Sequence, residues 1–223
     1  MISSNWALVV AGGSGTRMGT ETPKQFLPLL NKPVLLHALE RLLLFDPHIN
    51  LVVVLPENHH STWKAICEAQ NFHHTHLVVS GGSTRFQSVK NGLAAIPAEE
   101  GLVAVHDGVR PLVSTDTLSR CFDAAKRFGA AVPVVPLIDS LRQVNANGSR
   151  SVDRNAYCLV QTPQTFNLQT LKTAYETEES PDFTDDASVW ERQGLSLATV
   201  AGNPENIKIT RLFDLRIAEA LMA

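Results

Sequence analysis

Short apolar runs rich in β-branched residues alternate along the chain with longer stretches whose apolar residues recur every three or four positions. The runs are WALVVA (6–11), LVVVLP (51–56), HLVVS (76–80), LVAVHD (102–107) and AAVPVVP (130–136). The stretches of helical period cover 34–45, 61–70, 84–96 and 115–128; in the first of them Leu35, Leu39, Leu42 and Leu43 share a face. Strands that are apolar on both sides and separated by helices predict an α/β fold, with a mostly parallel sheet covered by helices on both faces. Ligands of such folds sit beyond the carboxyl ends of the strands. The unusual loops after the first, third and fourth runs are therefore expected on one rim.

One segment breaks the alternation. Residues 137–161, LIDSLRQVNANGSRSVDRNAYCLVQ, carry an Asn147-Gly148 turn signal between two polar-apolar stretches and read as a β-hairpin. So polar a hairpin has little to bury alone, and is expected to be an exposed arm or part of a subunit contact. Beyond it lie two helical stretches, near 185–193 and 213–222, with the strand-like LSLATVAG (195–202) between them. With no internal repeat, low-complexity tract or linker, 1–223 is expected to form a single domain from which 137–161 protrudes.

Composition narrows the function classes. At 223 residues, 44% of them hydrophobic and 18% charged, the chain can bury one sizeable core. A net charge of -3 gives no support to nucleic-acid binding, so phosphate chemistry must come from a few placed cations. The opening MISSNWALVVAGG has no basic leader and too short an apolar run for a span, so neither membrane nor export is expected. Cys67, Cys121 and Cys158 have no paired spacing and are expected to be buried thiols of a reducing, cytoplasmic compartment. The histidines of NHHSTW and FHHTH lack carboxylate or cysteine partners at ligand spacing and read as solvated loops.

The loop AGGSGTRMGTETPKQFLPL (11–29) admits three readings: a tight turn, a dinucleotide-binding crossover, or a triphosphate cradle. A P-loop needs Lys then Ser or Thr after its last glycine, whereas Gly15 is followed by Thr16 and Arg17. A dinucleotide fingerprint fails because the third glycine falls at Gly19 and Pro23 interrupts the helix that should receive the pyrophosphate. There remains a loop whose backbone N–H groups could converge on phosphate, with Arg17 and Lys24 reaching the same anion, or a turn with two solvated cations. In GGSTRFQSVKNGL, Ser83 or Thr84 would cap a helix with Val89, Leu93 and Ile96 buried, and Ser88 would read a base edge or face solvent. In HDGVRP, Asp107 would hold a divalent cation or a ribose hydroxyl, or simply pair with Arg110. Thr184 before Asp185 and Asp186 suits an N-cap or an acceptor phosphate, and Lys208, between Ile207 and Ile209, reads as an exposed strand lysine or one beside the rim.

Taken together, AGGSGTRMG…PKQFLPL, GGSTRFQSV, VHDGVRP, VDRN, QTPQTF, TDDAS and ENIKIT run in order through nearly the whole chain. As a set they resemble the 2-C-methyl-D-erythritol 4-phosphate cytidylyltransferase family of the non-mevalonate isoprenoid route. The resemblance implies a nucleotide-transferase (Rossmann-like) fold, CTP as co-substrate, Mg2+, and a homodimer whose hairpin arms exchange. It implies that Arg17 and Lys24 stabilise the transition state while Arg154 and Lys208 place the methylerythritol phosphate. Ala11, Gly12, Gly13, Gly15, Gly82, Ser88 and Asp107 would join Arg17 and Lys24 around CTP, with Asp107 as the candidate metal ligand. Arg110, Ser140, Thr162 and Thr184 would join Arg154 and Lys208 around the acceptor.

Two positions depart from the family pattern: Ala11-Gly12-Gly13 where two alanines are common, and Ser140 where a threonine is usual. Ribitol 5-phosphate cytidylyltransferases share the double glycine, so that loop leaves both acceptors open, whereas the arginine of VDRN favours methylerythritol phosphate. From another class, a non-catalytic nucleotide-binding regulator would have no use for Arg154 and Lys208. No general base is expected, because an acceptor phosphate is already ionised at neutral pH.

Overall fold

The computed structural model describes residues 5–13 and 22–222. In chain order its strands are β1 (Asn5–Val10), β2 (Pro28–Leu29), β3 (Lys32–Pro33), β4 (Asn50–Leu55), β5 (His76–Ser80), β6 (Leu102–Asp107), β7 (Ala130–Pro136), β8 (Arg142–Asn145), β9 (Gly148–Ser151), β10 (Cys158–Val160), β11 (Gln164–Asn167) and β12 (Ala198–Ala201). The helices are α1 (Val34–Phe45), α2 (His60–Ala69), α3 (Arg85–Ala94), α4 (Thr115–Phe128), α5 (Leu168–Ala174), α6 (Asp186–Glu191) and α7 (Leu212–Met222). The central sheet runs β10-β7-β11-β6-β1-β4-β5, with β12 on β7. Its β6-β1-β4-β5 portion is parallel, which places the ends of these strands and the loops after them on one rim.

The doubly apolar strands have a simple cause. On β1, Ala7 and Val9 face a core made with Leu35 and Leu39 of α1, Trp63 of α2 and Phe122 of α4. Trp6 and Leu8 face the opposite core, made with Val89 and Leu93 of α3, Leu171 of α5 and Trp190 of α6. Helices thus cover both faces, and a strand with neighbours on both sides has no polar face. Gly92 lets α3 settle on the sheet, because a Cβ there would lie 2.7 Å from Leu8 Cδ1. The helix ends follow local chemistry: Thr84 caps α3 and Ser114 caps α4, while Gly129, at φ 87, closes α4.

Several elements differ from the sequence expectation. Strands β10 and β11 lie antiparallel to β7, and β11 inserts between β7 and β6. At four residues, QTFN, the latter is too short and too polar for an apolar run, yet its Gln164 and Thr165 are buried. The turn of the 137–161 hairpin is centred on Ala146 and Asn147, since Asn145 pairs with Gly148. Asn145 Oδ1 accepts from Asn147 N at 2.9 Å, and Gly148 takes φ 126 as the first residue of β9. Cys67 and Cys121 are buried, but Cys158 is exposed because β10 ends the sheet. Around Lys208 there is no strand, and Thr184 does not cap α6: Asp185 does, in a capping box with Ser188. No helix among the described residues is long and apolar enough to cross a membrane.

Candidate active site

The loops after β1, β5 and β6 meet around a cleft of about 230 Å³. Ala11, Gly12 and Gly13 form one wall, Lys24 and Gln25 a second, and Gly82 to Arg85 with Ser88 a third. A second cleft of about 250 Å³ opens beside it, lined by Arg110, Gln161, Thr162, Gln164, Thr184 and Asp185. Arg85, Asp107 and Lys208 line both. Two anion-sized spaces therefore share a wall carrying two cations and one carboxylate. A larger cavity, about 480 Å³, lies at the amino end of β6 beside Glu99 and Glu100, whose charge does not suit an anion.

Contact requires glycine at Gly82 and leaves Gly13 close to Lys24. A Cβ on Gly82 would sit 2.3 Å from Gln87 Cβ, and one on Gly13 would sit 3.1 Å from Lys24 Cε. Lys24, at the start of a 3-10 turn (Lys24–Phe26), is thus laid over Gly13. Ser88 is buried, and its hydroxyl is already engaged: it accepts from Gly82 N at 3.0 Å and donates to Thr84 O at 2.8 Å. It shapes the loop after β5; its proton is not turned toward a base edge in this state.

At the shared wall, Asp107 Oδ2 pairs with Lys208 Nζ at 3.0 Å and Arg110 Nε at 3.2 Å. The local Asp107–Arg110 pair is therefore real, but it belongs to a larger cluster. Burial alone would raise the Asp107 carboxyl; Lys208, Arg85 and Arg110 overcome it and hold the group well below the usual carboxylate range. Arg110 also donates from Nη1 to Asn206 O at 2.7 Å, and Asn206 Nδ2 donates to Thr162 O at 2.8 Å, which ties the Lys208 segment to the rim. Lys208 keeps a half-exposed side chain.

Beneath this cluster lies His106, fully buried. His106 Nε2 faces Arg110 O at 3.0 Å and must donate to it, so Nδ1 of the neutral ring accepts the Thr162 hydroxyl at 3.1 Å, while Thr162 Oγ1 itself accepts from Asp107 N at 3.0 Å. Burial, only partly offset by Asp107, pushes the imidazole down to about 4. The neutral ring is what the fold holds, so stability is full above the ordinary value of 6.5 and is lost as pH falls toward 4. Between pH 7.5 and 5 this group should cost about 2 kcal/mol of stability. Urea unfolding of wild type and His106→Asn across that range checks it: the variant's pH slope should be the shallower by that amount.

Sequence reading overlooked Arg85 as a site residue. Its Nη1 and Nη2 donate to Asp186 Oδ1 and Oδ2 at 2.9 and 2.6 Å, and Tyr175 OH donates to the same Oδ1 at 2.6 Å. Burial disfavours the charged guanidinium, but Asp186 more than compensates and raises it above its ordinary value. Asp186, expected only as a helix-terminal charge, is the buried anchor that fixes a cation between the clefts. A usable signal was the pair GGSTR and TDDAS, an arginine and an acidic pair with no local partner of opposite charge. Gln164 sets the second wall by donating to Asp185 Oδ2 at 2.7 Å and accepting from Ala187 N at 2.8 Å.

Of the expected site residues, Ala11, Gly12, Gly13, Lys24, Gly82, Ser88 and Asp107 line the first cleft, and Arg110, Thr162, Thr184 and Lys208 the second. Gly15 and Arg17 lie outside the described residues. Ser140 and Arg154 line neither cleft. Arg154 belongs to the arm, where it is exposed and donates from Nη1 to Ile138 O.

The chain matches the family model described as IspD, 2-C-methyl-D-erythritol 4-phosphate cytidylyltransferase, over residues 6–223. It is 50% identical over 215 residues to the 2-C-methyl-D-erythritol 4-phosphate cytidylyltransferase of Bacteroides thetaiotaomicron, covering 96% of this chain and 98% of that one. To the enzyme of the same name from Porphyromonas gingivalis it is 49% identical over 224 residues, covering 100% and 99%. Among solved structures, the 4-diphosphocytidyl-2C-methyl-D-erythritol synthase of Anaerococcus prevotii superposes with a TM-score of 0.85 at 26% identity, over 99% of this chain and 96% of that one. The 2-C-methyl-D-erythritol 4-phosphate cytidylyltransferase of Thermus thermophilus does so with a TM-score of 0.76 at 32% identity, over 99% and 98%.

Proposed function

Because the chain belongs to the 2-C-methyl-D-erythritol 4-phosphate cytidylyltransferase family, nucleotidyltransferases that move CMP from CTP to 2-C-methyl-D-erythritol 4-phosphate with release of pyrophosphate, we propose how its residues divide that work. The observation that carries the division is the shared wall of Arg85, Asp107 and Lys208 between two clefts. CTP occupies the cleft of the glycine loops, the acceptor phosphate occupies the cleft of Arg110 and Thr184, and they meet at the wall.

The acceptor oxygen attacks the α-phosphorus in line while pyrophosphate leaves, so like charges must approach and charge then grows on the bridging oxygen. Lys24, laid over Gly13, faces the polyphosphate; Arg17 assists it, as the family resemblance implies. Lys208 and Arg110 draw in the acceptor phosphate, and Arg85, held from behind by Asp186, keeps a fixed positive charge at the junction. Fixed cations of this kind stabilise charge without reorganising during the reaction.

Mg2+ fits the site through Asp107, whose carboxyl stays ionised and buried. No cluster of three His, Cys, Asp or Glu stands among the described residues, and Mg2+ needs none, since it commonly takes one or two carboxylates with substrate phosphates. When bound it would neutralise phosphate charge beside Asp107. Ser140 and Arg154 enter through a homodimer in which arm 137–161 crosses to the partner's acceptor cleft. Support comes from their lining neither cleft of their own chain and from the arm's exposed Ile138 (83%) and Val144 (75%). Three unbridged cysteines suit a reducing cytoplasm.

The test is pyrophosphate release in the presence of methylerythritol phosphate. CTP should support it, ATP and GTP should not, and chelation of Mg2+ should stop it. Release that ignores the acceptor, or equal use of ATP, would remove the assignment of the two clefts.

A further inference from the structure

Gln25 lines the nucleotide cleft with its side chain 1% exposed, and neither Oε1 nor Nε2 has a hydrogen-bond partner among the described residues. Other polar residues of the cleft are different. Ser83, Thr84, Arg85, Ser88, Asp107 and Lys208 all have hydrogen-bond or ionic partners. The other buried side chains with an unpaired atom, Trp6, Thr165 and Asn206, do not line this cleft. Leaving both ends of a carboxamide unpaired in a protein interior is costly. The local fold does not need the amide either: the turn closes through Phe26 N to Pro23 O at 2.8 Å, and Phe26 stacks on Trp63 with ring centroids 6.4 Å apart.

We propose that Gln25 is a nucleotide-binding residue whose carboxamide takes its missing partners from the base or sugar of the bound nucleotide. Phosphate oxygens only accept, so a phosphate would satisfy Nε2 and leave Oε1 unpaired. Base edges and ribose hydroxyls both donate and accept, which matches an amide with both ends open. The cations Lys24, Arg85 and Lys208 already serve the anion, and a neutral amide adds selectivity for the nucleoside rather than charge.

The inference rests on the nucleotide reading of the cleft, and Gln25→Met, of similar size but unable to pair, separates the two. Without ligand, the variant should melt no lower than wild type and up to about 4 °C higher, because a costly buried group is gone. By calorimetry it should bind CTP about tenfold more weakly, while tripolyphosphate binds as it does to wild type. Gln25→Leu gives the same comparison should the first variant express poorly. A lower melting temperature in both variants would show that the amide has a structural partner. CTP affinity within twofold of wild type, or equal weakening of CTP and tripolyphosphate, would remove the nucleoside contact. Failure of wild type to bind CTP at all would instead overturn the reading of the cleft.

Discussion

Lys24→Ala is expected to lower turnover at saturating CTP by about two to three powers of ten, the usual cost of removing one charged donor aimed at developing charge. The side chain lies along Gly13, where a Cβ would come within 3.5 Å of Nζ, so the ammonium stands beside the backbone to which we assign the polyphosphate. Truncation should spare the fold. The turn around Lys24 is fixed by its backbone and by Phe26, which packs edge-on to His59 at 5.6 Å as well as against Trp63. The melting temperature of the variant should therefore match wild type. A variant that keeps more than about a tenth of wild-type turnover, a shortfall below ~1.4 kcal/mol, would show that Lys24 does not act on the transition state.

The second large effect concerns the arm. If residues 137–161 complete the partner's site, Arg154→Ala and Lys24→Ala damage different halves of a composite site. Two nearly inactive homodimers, mixed equally and allowed to exchange subunits, should then recover about a quarter of wild-type activity. Half of the dimers are mixed; in each, one site carries both lesions and the other carries none. The exposed apolar residues of the arm and of β10, Ile138, Val144, Tyr157, Leu159 and Val160, give such a crossing surface something to bury. Exchange confirmed by mass spectrometry with no gain in activity would place Arg154 within its own chain.

How much of this was legible in the sequence follows from physics at particular residues. Strands buried on both faces and helices with one apolar stripe announce themselves, so 34–45, 102–107, 115–128 and 130–136 were read at their observed bounds, as was 76–80, an apolar run although it forms the sheet edge with Leu77 and Val78 exposed. The strand β11 was missed because Phe166 is its one buried apolar residue, and the burial of Gln164 and Thr165 beside it is something no hydropathy pattern reveals. Cleft residues on glycine loops were legible because close approach demands glycine and phosphate demands cations. Arg85 was missed for the opposite reason. Its role depends on Asp186, 101 residues away, and only the packing of α3 and α6 on α5 brings the pair together. Lys208 was placed on a strand by its flanking isoleucines, yet Ile209 is buried through a loop beside α7 and Leu29. A single buried contact can imitate strand periodicity over three residues.

The central claim, CMP transfer onto methylerythritol phosphate in the cleft of Arg110 and Lys208, is tested most directly by letting two acceptors compete. Wild-type protein is incubated with CTP, Mg2+ and equal 2-C-methyl-D-erythritol 4-phosphate and ribitol 5-phosphate, and the nucleotide products are resolved by mass. The account predicts CDP-methylerythritol in large excess, formed one-for-one with pyrophosphate; CDP-ribitol in equal or greater amount would contradict it.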